Sequence, residues 1–207
     1  MLQVTTAAMR RWWVFLALIL VLLIADVYVI LRWVKFGRPE WRFDPQILEA
    51  ASRYQVDPAL VKAVMWQESR FRPDARGTKQ EIGLMQLRSL AAQEWADAER
   101  ITPFEHEQVS DARTNTLAGA WYLSKLIRRY RLTDDPRVYA LADYNAGRTQ
   151  VLRWLKDAGA TNSSIFLEQM DYPGTKEYIR KVLKRHEKYR NEFEVTRTSR
   201  GSGDTVH

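Results

Sequence analysis

The sequence predicts an all-α protein in which a helical domain follows a single apolar helix near the N-terminus. Residues 12–31 form one long apolar run in which only Asp26 is charged. From residue 45 onward, apolar residues recur at the i, i+3, i+4 spacing of amphipathic helices, without strand-like alternation of useful length. The 207 residues suffice for one domain of about 150 residues together with a membrane segment or linker.

The apolar run at the N-terminus is long enough to cross the hydrocarbon core of a bilayer, about 30 Å at about 1.5 Å per residue. Trp12, Trp13 and Trp33 flank it, as aromatic residues do at membrane interfaces. The alternative is a cleaved signal peptide, but no A-x-A-like site follows the run, which is also long for a signal-peptide core. We therefore predict an uncleaved anchor.

The charges that flank the anchor do not choose its orientation. Arg10 and Arg11 precede it, and Arg32, Lys35 and Arg38 follow it. Because basic residues stand on both sides, the positive-inside rule does not settle which side of the membrane the domain faces.

Charge and composition divide the chain into five parts. We predict a cytoplasmic N-terminus over residues 1–11, a transmembrane anchor over 12–34, a linker over 35–44, and a helical domain over 45–191. The remaining residues, 192–207, are polar and contain Gly and Ser, and we expect them to be a disordered tail.

Two Asp-Pro pairs predict where the first helices of the domain begin. Asp44 and Asp57 can each accept a hydrogen bond from a free first-turn amide, and the following proline needs no partner for its missing N–H. The predicted helices of the domain cover residues 45–54, 58–70, 111–131, 136–144, 148–157 and 175–191.

Composition excludes several kinds of site. The chain has no cysteine, so disulfides and thiolate metal sites are ruled out. His106, His186 and His207 lack metal-ligand spacing, and we predict neither a metal nor another cofactor. The net charge of +7 suits an anionic surface such as phospholipid, cell-wall polymer or nucleic acid.

One carboxylate stands in an unexpected place. On the predicted helix 58–70, Glu68 lies four residues past Val64 and therefore on the apolar stripe. Burying an unpaired carboxylate costs several kcal/mol or forces it to stay protonated. The residues alone leave another interpretation open, in which the helix ends here and Glu68 turns to solvent or pairs with Arg70 or Arg72.

Three sequence motifs, of which the first contains Glu68, occur in order along the chain. The chain reads "ESRFRPDA" at 68–75, "GLMQL" at 83–87 and "ADYNAG" at 142–147, with weaker helical signatures "GAWYL" at 119–123 and "TKEYIRKVL" at 175–183. This series resembles the soluble-type lytic transglycosylases (SLT domain), relatives of goose-type lysozyme. The resemblance covers most of the predicted domain.

The resemblance implies a lysozyme-like helical fold and cleavage of the β-1,4 bond between N-acetylmuramic acid and N-acetylglucosamine in peptidoglycan. It implies that Glu68 is the catalytic acid of a substrate-assisted reaction that leaves 1,6-anhydro-muramic acid ends. It also implies a bacterial cytoplasmic (inner) membrane location, with the domain on the outer, periplasmic or cell-wall side where peptidoglycan lies.

The resemblance assigns substrate contacts to four further residues. Gln86 would present its amide in the groove, and Tyr144 and Asn145 would contact the sugar at the cleavage point, with the Tyr144 hydroxyl near Glu68. Met85 would fill space beside the acid or support a sugar ring, although simple core packing is the alternative for this side chain.

The chain also departs from the family pattern. Gly77 stands where a serine is usual, Gln80 and Glu81 replace Gly-Ala, Asp143 replaces an alanine, and Gly174 replaces a glutamate. Glu81 is an additional carboxylate in a loop that should border the groove. It could be a second acidic group that helps water attack, or a structural partner for an arginine.

Three other functions fit parts of the sequence. A hydrolytic muramidase would share the acid, and a non-catalytic, membrane-tethered glycan-binding protein would share the fold. The basic residues of 172–190 could bind a membrane or an anionic polymer, or simply form a solvated helix face. No nucleic-acid-binding motif accompanies them.

Overall fold

The computed structural model describes residues 6–36 and 40–201, with side chains for residues 12–29 and 40–194. Most of these residues are helical and they form no sheet, which confirms the predicted all-α class. Two isolated bridges, Arg76–Ile82 and Ile82–Leu87, are the extent of the β pairing in the described parts.

The chain divides into two compact units, residues 1–39 and 40–207. The first contains α1 (Thr6–Phe36), whose segment Trp12–Val29 has a mean hydropathy of 2.5 and exposed apolar side chains. Its length and composition suffice to cross a membrane. The first five residues of the predicted cytoplasmic segment and residues 37–39 of the predicted linker lie outside the described residues.

The second unit contains eight α-helices within residues 40–201, with long connections at residues 70–88 and 99–111. They are α2 (Asp44–Tyr54), α3 (Pro58–Ser69), α4 (Ser89–Ala98), α5 (Ala112–Arg129), α6 (Pro136–Ala146), α7 (Arg148–Trp154), α8 (Ser163–Gln169) and α9 (Pro173–Gly201).

Each helix predicted for the domain is present, but α4 and α8 were not predicted. The buried side of α4 consists of Ala92, Trp95 and Ala96, so its apolar stripe is short and mostly alanine. The seven-residue α8 is too short for its periodicity to be read, and it buries only Phe166.

Helix α5 forms the centre of the domain. It packs against α2, α4 and α6, and α9 packs against α3 and α6. Gly119 lies in the middle of α5, where a Cβ atom would overlap the sulfur of Met85. The small residue therefore lets the loop that carries Met85 approach the helix closely.

Only one of the two Asp-Pro pairs caps its helix as predicted. Asp57 is the N-cap of α3 and accepts a hydrogen bond from the amide of Ala59 at 2.8 Å. Asp44 instead lies inside α2, whose N-cap is Phe43. Its carboxylate is 2.7 Å from the ammonium of Lys62, which is only 3% exposed, because a buried cation needs a charged partner more than the helix needs a cap.

The last helix is longer than predicted. Residues 192–201 continue α9, whereas their composition predicted a disordered tail; residues 202–207 of that tail lie outside the described residues. Phe193 packs against the core, and Glu192 lies 3.5 Å from Lys188 one turn earlier. These contacts give the polar segment a packed face and helical ion pairs.

A buried amide joins the centre of the domain to the loop between α3 and α4. Asn115, fully buried on α5, accepts a hydrogen bond from the amide of Met85 at 2.8 Å. It donates two more, each 2.8 Å long, to the carbonyl oxygens of Ile82 and Val109. Gly83 leaves room for this side chain, because a Cβ atom there would overlap the amide.

We expect Asn115→Ala to lower the free energy of unfolding by about 3 kcal/mol, because the amide of Met85 and the carbonyl of Val109 lose their partner and the carbonyl of Ile82 keeps only the amide of Leu87. Urea unfolding of the full chain in detergent, followed by tryptophan fluorescence, measures this change. The exposed Asn191 of α9 provides the control, and Asn191→Ala should stay within about 0.5 kcal/mol. Equal effects of the two substitutions would show that Asn115 does not hold the loop.

Candidate active site

Glu68 occupies the last turn of α3, where the chain changes direction abruptly. Arg70 and Phe71 both adopt left-handed backbone conformations, with φ of 55° and 58°. Phe71 is 1% exposed and stacks on Phe43, and the burial of this ring holds the turn in place. The Ser69 hydroxyl donates to the carbonyl of Leu84 at 2.7 Å, which joins the helix end to the "GLMQL" loop.

The nearby arginines do not pair with Glu68. The guanidinium of Arg70 lies 3.1 Å from the ring centroid of Trp66, and Arg72 donates from Nε to the carbonyl of Ser69 at 3.1 Å. The interpretation in which Glu68 pairs with a neighbouring arginine is therefore wrong, and the carboxyl group stays partly buried beside the apolar residues of α3.

Burial raises the pKa of Glu68 from 4.5 to about 7. Removal from water is the largest cause, since it disfavours the charged form. A hydrogen bond from Tyr178 acts in the opposite direction, and the negative charge of Glu81 raises the pKa further. At neutral pH a large fraction of Glu68 therefore carries a proton that it can give to a ligand.

Tyr178 is a direct partner of Glu68 that was not among the predicted site residues. Its hydroxyl donates to Oε1 of Glu68 at 2.6 Å, although the two residues lie on α9 and α3. Burial raises the pKa of Tyr178 well above its usual value, so the hydroxyl remains a donor. The signal was present in the weak signature "TKEYIRKVL", in which Tyr178 is the aromatic residue.

Tyr144 lies beside the acid but gives its hydroxyl to another group. The hydroxyl donates to the carbonyl of Met85 at 2.7 Å. Burial raises the pKa of Tyr144 well above its usual value, and the charge of Glu68 adds to the effect. The Tyr144 side chain therefore joins α6 to the "GLMQL" loop and forms a wall next to Glu68.

A cleft of about 700 Å³ brings five of the six predicted site residues together. These residues are Glu68, Glu81, Gln86, Tyr144 and Asn145. A second depression, of about 510 Å³, shares Asn145 with the cleft and is bordered by Gln67, Gly174 and Tyr178. Asn145 is thus the residue that borders both depressions.

Met85 is the predicted site residue that the structure places elsewhere. Its side chain is fully buried against Gly119 of α5 and does not line the cleft. The prediction of a sugar contact for this side chain is therefore wrong, because the close approach of loop and helix encloses it. Met85 supports the site through its carbonyl, which holds Tyr144.

Gln86 and Asn145 offer complementary groups to a ligand. Gln86 adopts a φ of 47° and donates from Nε2 to the carbonyls of Gly83 and Ala75, at 2.8 and 3.2 Å. Asn145 is exposed, and its Oδ1 accepts from the hydroxyl of Thr175 at 2.8 Å. The Gln86 carbonyl and the Asn145 amide protons are thus the parts suited to bind sugar hydroxyls or an acetamido group.

Glu81 folds back over Gly77 at the edge of the cleft. Its Oε2 accepts a hydrogen bond from the amide of Lys79 at 2.8 Å. Arg88 forms an ion pair with Glu81, but its Nε is 3.7 Å from Oε1, which is too long for a hydrogen bond. A Cβ atom at Gly77 would overlap the Glu81 carboxylate, so the two departures from the family pattern fit each other.

Asp143 borders the cleft, but its carboxylate is bound by side chains of the domain. It is 1% exposed, and its Oδ2 accepts from Arg129 and from the hydroxyl of Tyr130, each at 2.7 Å. Arg148 donates to the same hydroxyl at 2.7 Å. The carboxylate that replaces a usual alanine is therefore paired with an arginine of the domain.

No group of three or more His, Asp or Glu residues is placed to hold a metal ion within the residues that the structure describes. Two of the histidines have structural partners instead. His186 lies 2.6 Å from a carboxylate oxygen of Asp57, and His106 lies 3.0 Å from the carbonyl of Leu87.

Comparison of the sequence with known proteins indicates the same family as the motifs do. The family model described as "Transglycosylase SLT domain" matches residues 45–167. Membrane-bound lytic murein transglycosylase F of Desulfosudis oleivorans is 40% identical over 109 residues, which are 51% of this chain and 22% of that protein. The protein of the same name from Hahella chejuensis is 34% identical over 131 residues, 62% of this chain and 23% of that protein.

Solved structures show the same fold. An inactive variant of the lytic transglycosylase Slt from Pseudomonas aeruginosa superimposes with a TM-score of 0.68 and 27% identity over 78% of this chain and 25% of that one. The 70 kDa soluble lytic transglycosylase of Escherichia coli gives a TM-score of 0.66 at 24% identity, over 74% and 25% of the two chains. This chain thus spans about a quarter of the length of each of these four proteins.

We expect the Glu68 carboxyl to titrate near pH 7 and its pKa to rise in Tyr178→Phe, which removes a hydrogen bond that favours the charged form. Carboxyl ¹³C resonances of Glu-labelled protein measure both values, and Glu68→Gln identifies the signal. Tyr139→Phe is the control, because that hydroxyl donates to the distant carbonyl of Gly159.

The raised pKa of Glu68 also predicts the direction in which the unfolding free energy changes with pH. Between pH 4.5 and about 7 the folded chain keeps a proton on Glu68 that the unfolded chain has released, so this group's contribution to the unfolding free energy falls as pH rises through that range. That fall should be absent in Glu68→Gln. A Glu68 midpoint near 4.5, or a lower midpoint in Tyr178→Phe, would contradict the assignment.

Proposed function

The chain belongs to the transglycosylase SLT domain family, and we propose that it is a membrane-anchored lytic transglycosylase that cleaves the β-1,4 bond between N-acetylmuramic acid and N-acetylglucosamine in peptidoglycan. The observation that carries the proposal is a carboxylic acid with a pKa of about 7, Glu68, on the wall of a cleft of about 700 Å³. Breaking a glycosidic bond requires such a proton donor at the leaving oxygen.

The first step uses the proton of Glu68. As this proton moves to the glycosidic oxygen, the bond between that oxygen and the anomeric carbon breaks. The carbonyl oxygen of the muramic acid's own acetamido group bonds to the anomeric carbon and accepts the developing positive charge, as in other substrate-assisted glycosidases. Glu68 is left as a carboxylate, and Tyr178 can stabilise this form by its hydrogen bond.

The second step reverses the role of Glu68. The carboxylate removes the proton of the 6-hydroxyl of the same sugar, whose oxygen attacks the anomeric carbon and displaces the acetamido oxygen. The 6-hydroxyl is held close to the reacting carbon, so its effective concentration can far exceed that of a competing external nucleophile. The product is a 1,6-anhydro end, formed without consuming water.

A hydrolytic muramidase is the second candidate, and Glu81 is the observation that favours it. This carboxylate borders the same cleft as Glu68 and could activate a water molecule. The reducing ends that would then form contain one water more than anhydro ends. A non-catalytic glycan-binding protein is the weaker alternative, since it would not need an acid held protonated at neutral pH.

We expect purified full-length protein to convert peptidoglycan into fragments with 1,6-anhydro-muramic acid ends, and Glu68→Gln to lower this turnover by at least about 10²-fold, because the amide has no proton to give. Mass spectrometry of the digest measures both the amount and the type of ends. Binding of the variant to insoluble peptidoglycan should persist, since the shape of the side chain is kept.

Glu107→Gln supplies the matched control. Glu107 is exposed, pairs with Arg76 and does not line the cleft, so its variant should keep the turnover of the parent protein. Reducing ends as the main product would identify a muramidase, and full turnover in Glu68→Gln would place the acid elsewhere.

We propose that α1 anchors the protein in the bacterial cytoplasmic membrane, with the domain on the outer side. The apolar segment Trp12–Val29 supports the anchor, and the two relatives named as membrane-bound transglycosylases support a membrane location. The orientation follows from the proposed substrate, because peptidoglycan lies outside this membrane.

Protease added to intact spheroplasts should therefore digest the domain and leave a small fragment that contains α1. A C-terminal tag should be lost under the same conditions, while a cytoplasmic marker protein remains intact as the control. Protection of the full chain until the cells are lysed would contradict this topology. A mature chain that begins after the apolar run would instead indicate a cleaved signal peptide.

A further inference from the structure

We propose that Glu81 accepts a hydrogen bond from the acetamido N–H of the muramic acid at the cleavage point, and thereby orients this group for its attack on the anomeric carbon. This inference rests on the proposed function and assigns a residue to its substrate-assisted step. It concerns a carboxylate that stands outside the family pattern.

The first support is the position of Glu81 among the acidic residues of the cleft. Glu94 is 2.5 Å from the ammonium of Lys125, and Asp143 is buried and bound by Arg129. Within the described residues, the remaining carboxylates that border the cleft are Glu68 and Glu81. Glu81 is therefore the second carboxylate that a ligand next to Glu68 can reach.

The second support is the hydrogen-bonding capacity that remains on one carboxylate oxygen of Glu81. Oε2 is occupied by the amide of Lys79 at 2.8 Å, whereas Oε1 has Arg88 as an ion-pair partner at 3.7 Å, beyond hydrogen-bonding distance. The side chain is 20% exposed. A donor from the ligand can thus bind Oε1 without displacing a hydrogen bond that the loop needs.

The third support is that the turn fixes the carboxylate before a ligand arrives. The amide of Gly77 donates to the carbonyl of Glu81 at 2.8 Å, and Gln80 adopts a φ of 62° to close the turn. Because Gly77 has no side chain, the carboxylate of Glu81 can lie against its Cα. An acceptor held in this way loses little conformational freedom when the ligand binds.

The chemistry of the first step explains the need for such an acceptor. When the acetamido oxygen bonds to the anomeric carbon, the group becomes a cyclic oxazolinium ion with positive charge shared by its N–H. The carboxylate of Glu81 stabilises that charge and takes no proton in the step. When the 6-oxygen displaces the acetamido oxygen, the neutral amide is restored and Glu81 is unchanged.

The charge of Glu81 serves the acid as well. It lies near enough to Glu68 to raise the pKa of that carboxyl, which also faces Tyr178 of α9 and Tyr144 of α6. One carboxylate would thus keep the acid protonated before the reaction and balance the cation formed during it.

The probe for this contact is the thiazoline analogue of N-acetylglucosamine. When its ring nitrogen is protonated, this stable compound mimics the oxazolinium ring and carries the N–H that Glu81 would accept. We expect calorimetry with the full chain in detergent to show that Glu81→Gln weakens binding of this probe by about tenfold to a hundredfold, the range of one charge-assisted hydrogen bond. The glutamine can still accept from the Lys79 amide, so the turn is kept while the charge is lost. Turnover of peptidoglycan should fall in parallel.

Two further variants separate the contact from general effects. Glu94→Gln removes one charge from the same cleft, and because Lys125 already pairs with this carboxylate, we expect a much smaller loss of probe affinity. Gly77→Ala should displace the Glu81 carboxylate and weaken the probe as Glu81→Ala does. In the Glu81→Ala background, Gly77→Ala should then cause little additional loss.

The outcomes distinguish this inference from the proposed function. Unchanged probe affinity in Glu81→Gln, or no binding of the probe to the parent protein, would overturn the assignment of Glu81 while leaving an active Glu68-dependent transglycosylase intact. Equal losses in Glu81→Gln and Glu94→Gln would also overturn it, since the effect would then be general charge. Full turnover in Glu68→Gln would instead reject the proposed function itself.

Discussion

The geometry of the site depends on one buried side chain, the amide of Asn115. Its three hydrogen bonds join the central helix α5 to Ile82, Met85 and Val109, so the loop that carries Gln86 has a fixed position relative to the core. The end of α3 and Tyr144 are then attached to that loop, through the carbonyls of Leu84 and Met85 respectively. Buried polar groups are costly when unpaired. Any arrangement that broke these hydrogen bonds would leave such groups unpaired, so the bonds favour one relative position of the three chain segments.

Local patterns predicted the parts of the molecule that depend on neighbouring residues in sequence. The helix periods, the Asp57 cap and the acid on the apolar stripe of α3 all come from short-range spacing. Contacts between distant segments were not readable in this way. Tyr178 reaches Glu68 from α9, and Asp44 prefers the buried Lys62 to its own helix terminus. The motifs identified the "GLMQL" loop, but only packing against Gly119 shows that Met85 faces the core.

The surroundings of Glu68 shift its pKa in opposite directions. The resulting balance suits a group that must give a proton and later take one. Burial and the charge of Glu81 favour the neutral acid, whereas Tyr178 favours the carboxylate. A pKa near 7 leaves both forms accessible at neutral pH, because a group is half ionised when the pH equals its pKa. A drier site without the tyrosine would retain the proton too firmly, and a wetter site would release it too early.

The place of Glu68 at the end of α3, rather than at its beginning, has an electrostatic consequence of its own. Peptide dipoles along a helix sum to a partial negative charge at the C-terminus, which disfavours a nearby anion by about 0.3–1 kcal/mol. The last turn of α3 itself contains no basic residue, and Arg72, just beyond it, offsets only part of this field through its hydrogen bond to the carbonyl of Ser69. The same carboxyl on the first turn would meet the positive end of the dipole and ionise more readily. The direction in which the backbone enters the cleft therefore helps to make this residue an acid.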